Sequence, residues 1–317
     1  MHALVLQDGR LRVRSDHPLP QSATETTIRL RQGGICATDL ELVKGYMGFE
    51  GVLGHEWVGV VSSSPQSKWV GRRVVGDINC PCMVCSTCAA GRYTHCPNRT
   101  VLGIQGRNGA FSEYFQLPAA NLHEVPENVS DDAAVFVEPL AAALRIVEQL
   151  HIRPSQLVYV LGVGRLGQLC ARVLALTGAK VCGISRGPER LHFLPDGVEG
   201  VLLADIDKEP KADVVIDCTG NPEGLAIASS LARSQGTIVL KTTVHLAKAV
   251  NPTSWVIDEQ RVIGSRCGPF APALRLLASG AIDPTPLISA RFPLSDGLSA
   301  MRKAVQKDAM KVILKAK

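Results

Sequence analysis

LVYVLGVGRLGQLCARVLALTG, residues 157–178, is the stretch that decides the fold. Leu157 to Leu161 is a short apolar run with the length and composition of a buried parallel strand. Gly162, Gly164 and Gly167 follow as GxGxxG, and Gln168 to Leu176 reads as an apolar-rich helix ending before Gly178. The first glycine allows a tight turn, the second lets a pyrophosphate approach the backbone, and the third lets helix pack on strand. The helix N-terminus offers free N–H groups and a positive dipole end to phosphate oxygens. Flanked by strand and helix, the motif predicts a dinucleotide site at Gly162, Val163, Gly164, Arg165, Leu166 and Gly167.

Downstream, strands are expected at Val181 to Ile184, Asp213 to Asp217 and Thr237 to Leu240, with a helix at Leu225 to Ala232. Strands alternating with helices imply right-handed crossovers and a doubly wound parallel sheet. Upstream, short strands read at Ala3 to Leu6, Leu11 to Val13 and Thr26 to Leu30, then around Gly54 to Val61, Val70 to Val75, Gly109 to Phe115 and Leu122 to Val125. A turn signal about every ten residues suits a compact β-rich barrel. The composition shifts near Ser130, and Asp131 to Leu150 has helical spacing broken by Pro139. The last stretch reads as a helix at Ala271 to Ala278, an extended piece at Ile288 to Phe292, a helix near Leu298 to Val305 and a strand at Lys311 to Leu314.

The chain of 317 residues, 46% hydrophobic and 20% charged, can hold two domains of an ordinary globular protein. Its net charge of +5 contains no Lys/Arg run of the kind that binds nucleic acid. MHALVLQDGRLRV is not a signal peptide, and no stretch has the length of a membrane span, so a cytoplasmic protein without nucleic-acid or membrane partners is expected. Ten cysteines are the anomaly, because Cys80, Cys82, Cys85, Cys88 and Cys96 crowd into one segment. Without a secretory signal, that crowding points to metal and not to disulfides.

Cys82, Cys85, Cys88 and Cys96 form a four-thiolate set suited to a closed, structural zinc. Cys80 is left out because Pro81 follows it and the remaining spacing is regular. Cys36, His55 and Glu56, with Glu138 later in VEPL, form a second cluster. One thiolate, one imidazole and one or two carboxylates suit a zinc that keeps a position open. Cys170, Cys182 and Cys218 sit in apolar runs and read as small core residues.

These segments, GGICATDLEL, GHEWVGVV, the cysteine lobe, NGAFSEY, VEPLAAAL, LGVGRLGQL and VVIDCTG, together resemble the zinc-containing medium-chain dehydrogenase/reductases of the alcohol dehydrogenase superfamily. The sorbitol- and glucose-dehydrogenase-like branch is the most similar. The resemblance implies an α/β fold with a GroES-like β-rich barrel catalytic domain at residues 1–143 that carries a structural zinc lobe at 80–97. It implies a Rossmann doubly wound parallel-sheet domain at 144–268, and a segment at 269–317 returning to the first domain. It implies Cys36 and His55 as catalytic zinc ligands, and Glu56 and Glu138 as carboxylates bound directly or through water. Thr38 matches a hydroxyl that relays the substrate proton, and Asp39 a buried partner that orients the ligating histidine. Glu41 stands where some members carry a relay histidine. The implied reaction is zinc-dependent hydride transfer between a small-molecule alcohol, polyol or sugar hydroxyl and a nicotinamide, in a homo-oligomer, dimer or tetramer. The alternatives are a nucleotide-binding relative without turnover, an NAD(H)-dependent polyol or hydroxy-amino-acid dehydrogenase, and a zinc-free quinone-reductase type, which the cysteine lobe disfavours.

For the cofactor, Ser185 and Arg186 end the second strand, with Arg190 close behind and no carboxylate where one would hold a ribose 2′-hydroxyl. A guanidinium there pairs with a 2′-phosphate, so NADP(H) is expected over NAD(H). The resemblance places Thr219 beside the nicotinamide, Arg266 near nicotinamide or substrate, and Lys311 at the pyrophosphate. The loop from Glu41 to Leu53 is shorter than in typical members. Tyr46, Met47, Phe49, Trp57 and Phe111 read either as pocket lining or as core.

Overall fold

The computed structural model describes residues 1–243 and 251–316. They form two compact units, Pro139–Pro269 and Met1–Glu138 with Phe270–Lys317.

In Pro139–Pro269 the strands run Glu199–Leu202, Lys180–Ser185, Leu157–Leu161, Ala212–Asp217, Ala232–Leu240, Arg261–Gly264 across one sheet. Every neighbouring pair is parallel. The first strand in sequence lies at the centre and the order reverses beside it, which leaves a crevice at the carboxyl ends of Leu157–Leu161 and Ala212–Asp217. Tyr159, Leu161, Cys182, Ile184, Val215 and Ile238 make the core on one face. Both outer strands are absent from the sequence reading. Glu199–Leu202 and Arg261–Gly264 are four residues each and largely uncovered, so neither carries the apolar run that betrays a central strand.

The glycine turn is sterically determined. Gly162 sits at φ +89°, and a Cβ there would lie 2.9 Å from the Thr219 Cα. A Cβ on Gly167 would fall 2.1 Å from the Gly162 carbonyl oxygen, so helix and strand close on each other only through a glycine. The helix Arg165–Ala175 starts directly after Gly164, earlier than its apolar pattern suggests, because Gly164 serves as its N-cap.

In the other unit, the long strand Thr26–Ile35 is the centre. It pairs antiparallel with Glu56–Ser63, Tyr114–Leu117 and Lys311–Lys315. Arg73–Gly76 and Leu122–Glu124 extend the sheet on one side, and Ile288–Pro293 on the other. Ala3–Gln7 and Arg10–Arg14 form a hairpin whose Leu4 and Leu6 pack with Ile35, Leu53, Phe111 and Val312. Trp57, Val74, Leu102, Phe115 and Leu117 fill a second core.

Two details differ from the sequence reading. Pro139 does not break the helical stretch: it lies in the first turn of Val137–Gln149, where its missing N–H costs nothing. The interruption comes earlier, after the short helix Asp131–Ala134 capped by Ser130. The units divide at Glu138 and at Pro269, close to the 143 and 268 that the family resemblance implies. No helix among the described residues is long and apolar enough to cross a membrane.

Substituting Gly167→Ala should destabilise the protein by about 1–3 kcal/mol through overpacking against the Gly162 carbonyl. Urea unfolding of both proteins measures this, and an unchanged midpoint would show that the turn has slack.

Candidate metal and dinucleotide sites

Thr26–Ile35 delivers Cys36 to the start of the helix Ala37–Val43. The Cys36 backbone N–H donates to Asp39 Oδ2 at 2.8 Å, so the carboxylate caps the helix and fixes the cysteine. Asp39 is fully buried, and its Oδ1 lies 3.4 Å from His55 Nδ1. His55 directly precedes the adjoining strand and Glu56 opens it, and the donor atoms of Cys36, His55 and Glu56 all lie within 4.8 Å of one another. Gly34 makes room: a Cβ there would lie 2.7 Å from Glu56 Oε2.

The electrostatics ask for a cation. Burial lowers the His55 pKa, yet the Asp39 carboxylate and the Cys36 sulfur outweigh it and hold the imidazole well above its usual range. Burial, reinforced by Glu56 and Asp77, pushes Glu138 up to about 7 against the opposing pull of His55 and Lys311. A thiol, an imidazole and a carboxylate, with Asp39 behind the imidazole, fit a zinc site with ligand positions to spare.

Several residues lie where the sequence did not put them. Lys311 is held within its own unit. It is 2% exposed, pairs with Glu56 Oε2, and its ammonium stands 5.4 Å from the Phe136 ring centre. The strand Lys311–Lys315 sets this, since Val312 pairs with Ile35 and Ile313 with Gly34. Glu41 does not turn into the site but pairs with Lys44 at 2.8 Å on the surface. Glu138 lies outside the three-residue donor group that includes Glu56. Thr38 Oγ1 is 3.8 Å from Cys36 Sγ, in the first turn of the helix. Phe49, Trp57 and Phe111 are buried core residues, whereas Met47 is half exposed.

The cysteine lobe is assembled. Sulfur separations are 3.6 Å for Cys85–Cys88, 3.8 Å for Cys85–Cys96 and 3.5 Å for Cys82–Cys96. Four sulfurs at ~2.3 Å from one tetrahedral zinc stand about 3.8 Å apart. Cys80 is set aside by its strand, which pairs Asn79 with Val101 and Cys80 with Thr100. Its sulfur faces the Asn121 amide at 3.7 Å, and burial pushes the thiol up to about 11.

In the dinucleotide unit, Ser185 and Arg186 end the second strand as expected, Arg186 exposed. Arg190 lies against the turn, its Nη1 3.0 Å from where a Gly164 Cβ would be. Arg165 and Leu166 open the helix, and Val163 is buried under the turn. Thr219 N and Oγ1 both donate to Asp217 Oδ1, at 2.9 and 2.8 Å, which fixes the loop beside Gly162. Arg266 is exposed, and its carbonyl is gripped by Lys241 Nζ at 3.1 Å. Lys241, buried and also donating to Ala142 O and Ser265 Oγ, gave no signal in a sequence that otherwise reads as strand. Glu189 is the other omission. Its carboxylate folds back to within 2.3 Å of where a Gly187 Cβ would be, so a negative charge does stand in the loop after the second strand.

Asp39→Asn should weaken metal retention about 10–100-fold, the usual effect of losing a histidine's carboxylate partner. Competition against a graded chelator series reads this out, and unchanged retention would remove Asp39 from the site.

Comparison with known proteins agrees with this fold. Residues 22–127 match the alcohol dehydrogenase GroES-like domain. Over 300 residues, 88% of this chain and 88% of its relative, the sequence is 30% identical to the 2-dehydro-3-deoxy-L-galactonate 5-dehydrogenase of Pseudoalteromonas atlantica. An alcohol dehydrogenase from Escherichia coli, crystallised with NADH, superposes with a TM-score of 0.89 at 27% identity over 99% of both chains. A protein from Sinorhizobium meliloti described as a zinc-binding dehydrogenase, bound to NADP, gives 0.90 at 28% identity over 99% of this chain and 98% of its own. With its GroES-like unit, its doubly wound dinucleotide unit and these relatives, the chain belongs to the medium-chain dehydrogenase/reductase family of the alcohol dehydrogenase superfamily, oxidoreductases that act on hydroxyl groups.

Proposed function

We propose that the protein is a zinc-dependent dehydrogenase that moves a hydride between an alcohol, polyol or sugar hydroxyl and NADP(H). The convergence of Cys36, His55 and Glu56 within 4.8 Å, with buried Asp39 behind the histidine, carries the reading. When bound, zinc supplies Lewis acidity toward a substrate hydroxyl, and nicotinamide supplies the hydride acceptor. Asp39 holds His55 in one orientation. Lys311 holds Glu56 through one carboxylate oxygen and leaves the other available. Thr38, half-buried beside Cys36, offers a hydroxyl for moving the substrate proton, and Glu138, titrating at about 7, can hold a proton near neutrality. A second zinc belongs to Cys82, Cys85, Cys88 and Cys96. Sugar-acid and polyol substrates are favoured because the galactonate-type dehydrogenase is a relative over most of the chain.

Ser185, Arg186 and Arg190 support NADP(H). Glu189 supports a second reading, NAD(H), because a carboxylate over Gly187 could accept a ribose 2′-hydroxyl. We also infer a homo-oligomer, a dimer or tetramer, from the edge strand Arg261–Gly264 and the exposed Val256 and Ile257 beside it, at 76% and 75%.

Purified protein should contain two zincs per chain, as read from the two donor clusters. Stripping the Cys36 site should abolish alcohol-dependent cofactor reduction, and full activity in demonstrably zinc-free protein would end the proposal. Steady-state kinetics should favour NADP+ over NAD+, with Arg186→Ala costing about tenfold or more in kcat/KM for NADP+ alone. An NAD+ preference that Arg186→Ala leaves intact and Glu189→Gln removes would establish the second reading.

A further inference from the structure

Between the glycine turn and the basic loop lies a buried polar relay with no counterpart in the motif itself. Gln168, fully buried in the first turns of the helix Arg165–Ala175, sends its side-chain amide to two carbonyls. Nε2 donates to Val163 O in the turn at 3.3 Å and to Arg190 O in the loop at 2.8 Å. Arg172, one helical turn on, donates from Nη1 to Gln168 Oε1 at 3.1 Å and from Nη2 to Phe193 O at 3.0 Å. The guanidinium therefore decides which way the Gln168 amide faces: its oxygen meets a donor, so its NH2 must meet the carbonyls. The loop is clamped at both Arg190 and Phe193 onto the backbone that carries the turn.

The consequence falls on Arg190. Its Nη1 lies 3.0 Å from the space a Gly164 Cβ would fill, directly against the turn. An arginine recognises phosphate through a rigid fork, so a small tilt of its backbone misaligns both N–H bonds. Glu189, the preceding residue, carries the opposite charge, and its own position over Gly187 means that a shifted loop could exchange attraction for repulsion.

We propose that Gln168 and Arg172 are positioning residues for cofactor choice: by clamping Pro188–Phe193 to the glycine turn they hold the Arg190 guanidinium where a ribose 2′-phosphate binds, which rests on the NADP(H) reading above. Neither touches the cofactor. The loop has separate apolar anchors, because Leu194 packs over Gly183 and Leu191 over Gly200. Loss of the relay should thus leave the segment folded and release only its polar face.

Calorimetric binding of 2′,5′-ADP and of 5′-AMP at one fixed ionic strength tests this without turnover or zinc. Wild-type protein should prefer 2′,5′-ADP. Gln168→Leu and Arg172→Met should each lose about tenfold on 2′,5′-ADP, as should Arg190→Ala, while 5′-AMP binding changes by less than about threefold. Arg172→Lys, which keeps a charge but not the fork, should recover part of the loss. A wild-type preference that both relay variants retain overturns the proposal, as does an equal loss on both ligands, which marks a merely structural role. Wild-type protein that binds both ligands alike removes the NADP(H) reading itself, and this inference with it.

Discussion

The buried ion pair between Glu56 and Lys311 closes the candidate metal site from 255 residues away in sequence. It forms because Lys311–Lys315 completes the sheet beside Thr26–Ile35, with Gly34 leaving room for the carboxylate. Removing one partner of such a pair typically costs about 3–5 kcal/mol, since the survivor is a charge without water. Its larger effect is on charge balance. With Lys311 set against Glu56, the acidic partners left to His55 are the Asp39 carboxylate and the Cys36 sulfur, which hold its imidazole well above its usual range. The strand Lys311–Lys315 is thus part of what shapes the candidate metal site.

The dinucleotide unit solves a different problem. It has to expose backbone to a ligand while keeping the crevice rigid, and it does so with buried polar hubs at the strand ends. Asp217 Oδ1 accepts from Thr219 N, Thr219 Oγ1 and Thr242 Oγ1, which ties two loops to one carboxylate. Lys241 ties Ala142, Ser265 and Arg266 in the same manner with the opposite charge. Each hub is satisfied by several partners, as a polar group withdrawn from water must be. Preorganised loops of this kind reduce the ordering cost that a bound cofactor would otherwise meet.

Legibility in the sequence followed the range of the interaction. The glycine turn, the central strands and the cysteine lobe were readable because each is specified within a few neighbouring residues. Cys36, His55 and Asp39 were readable through family resemblance, and the fold brings them together from two segments. The pairing of Lys311 with Glu56 was not legible because it is set by sheet register, which no local pattern records. Glu41 looked like a relay group until its helix turned it onto Lys44. Trp57 and Phe111 could be read as lining or as core, and only packing against Phe115, Gly33 and Gly54 decides for core. The outer strands escaped notice because an uncovered strand needs no apolar run.

The loop after the second strand shows why charge composition alone does not determine cofactor choice. Arg186, Glu189 and Arg190 carry two positive charges and one negative within five residues, so the sum favours an anion only weakly. What matters is where each charge is held. Glu189 can fold over the backbone because Gly187 has no side chain to obstruct it, and Arg190 can lie on the turn because Gly164 has none either. Two glycines therefore make room for opposite charges on two adjacent residues. The relay through Gln168 and Arg172 grips the carbonyls of Arg190 and Phe193 and leaves Glu189 without a clamp from it. A guanidinium carried on a clamped backbone keeps its donors aligned, whereas an exposed carboxylate is weakened by screening.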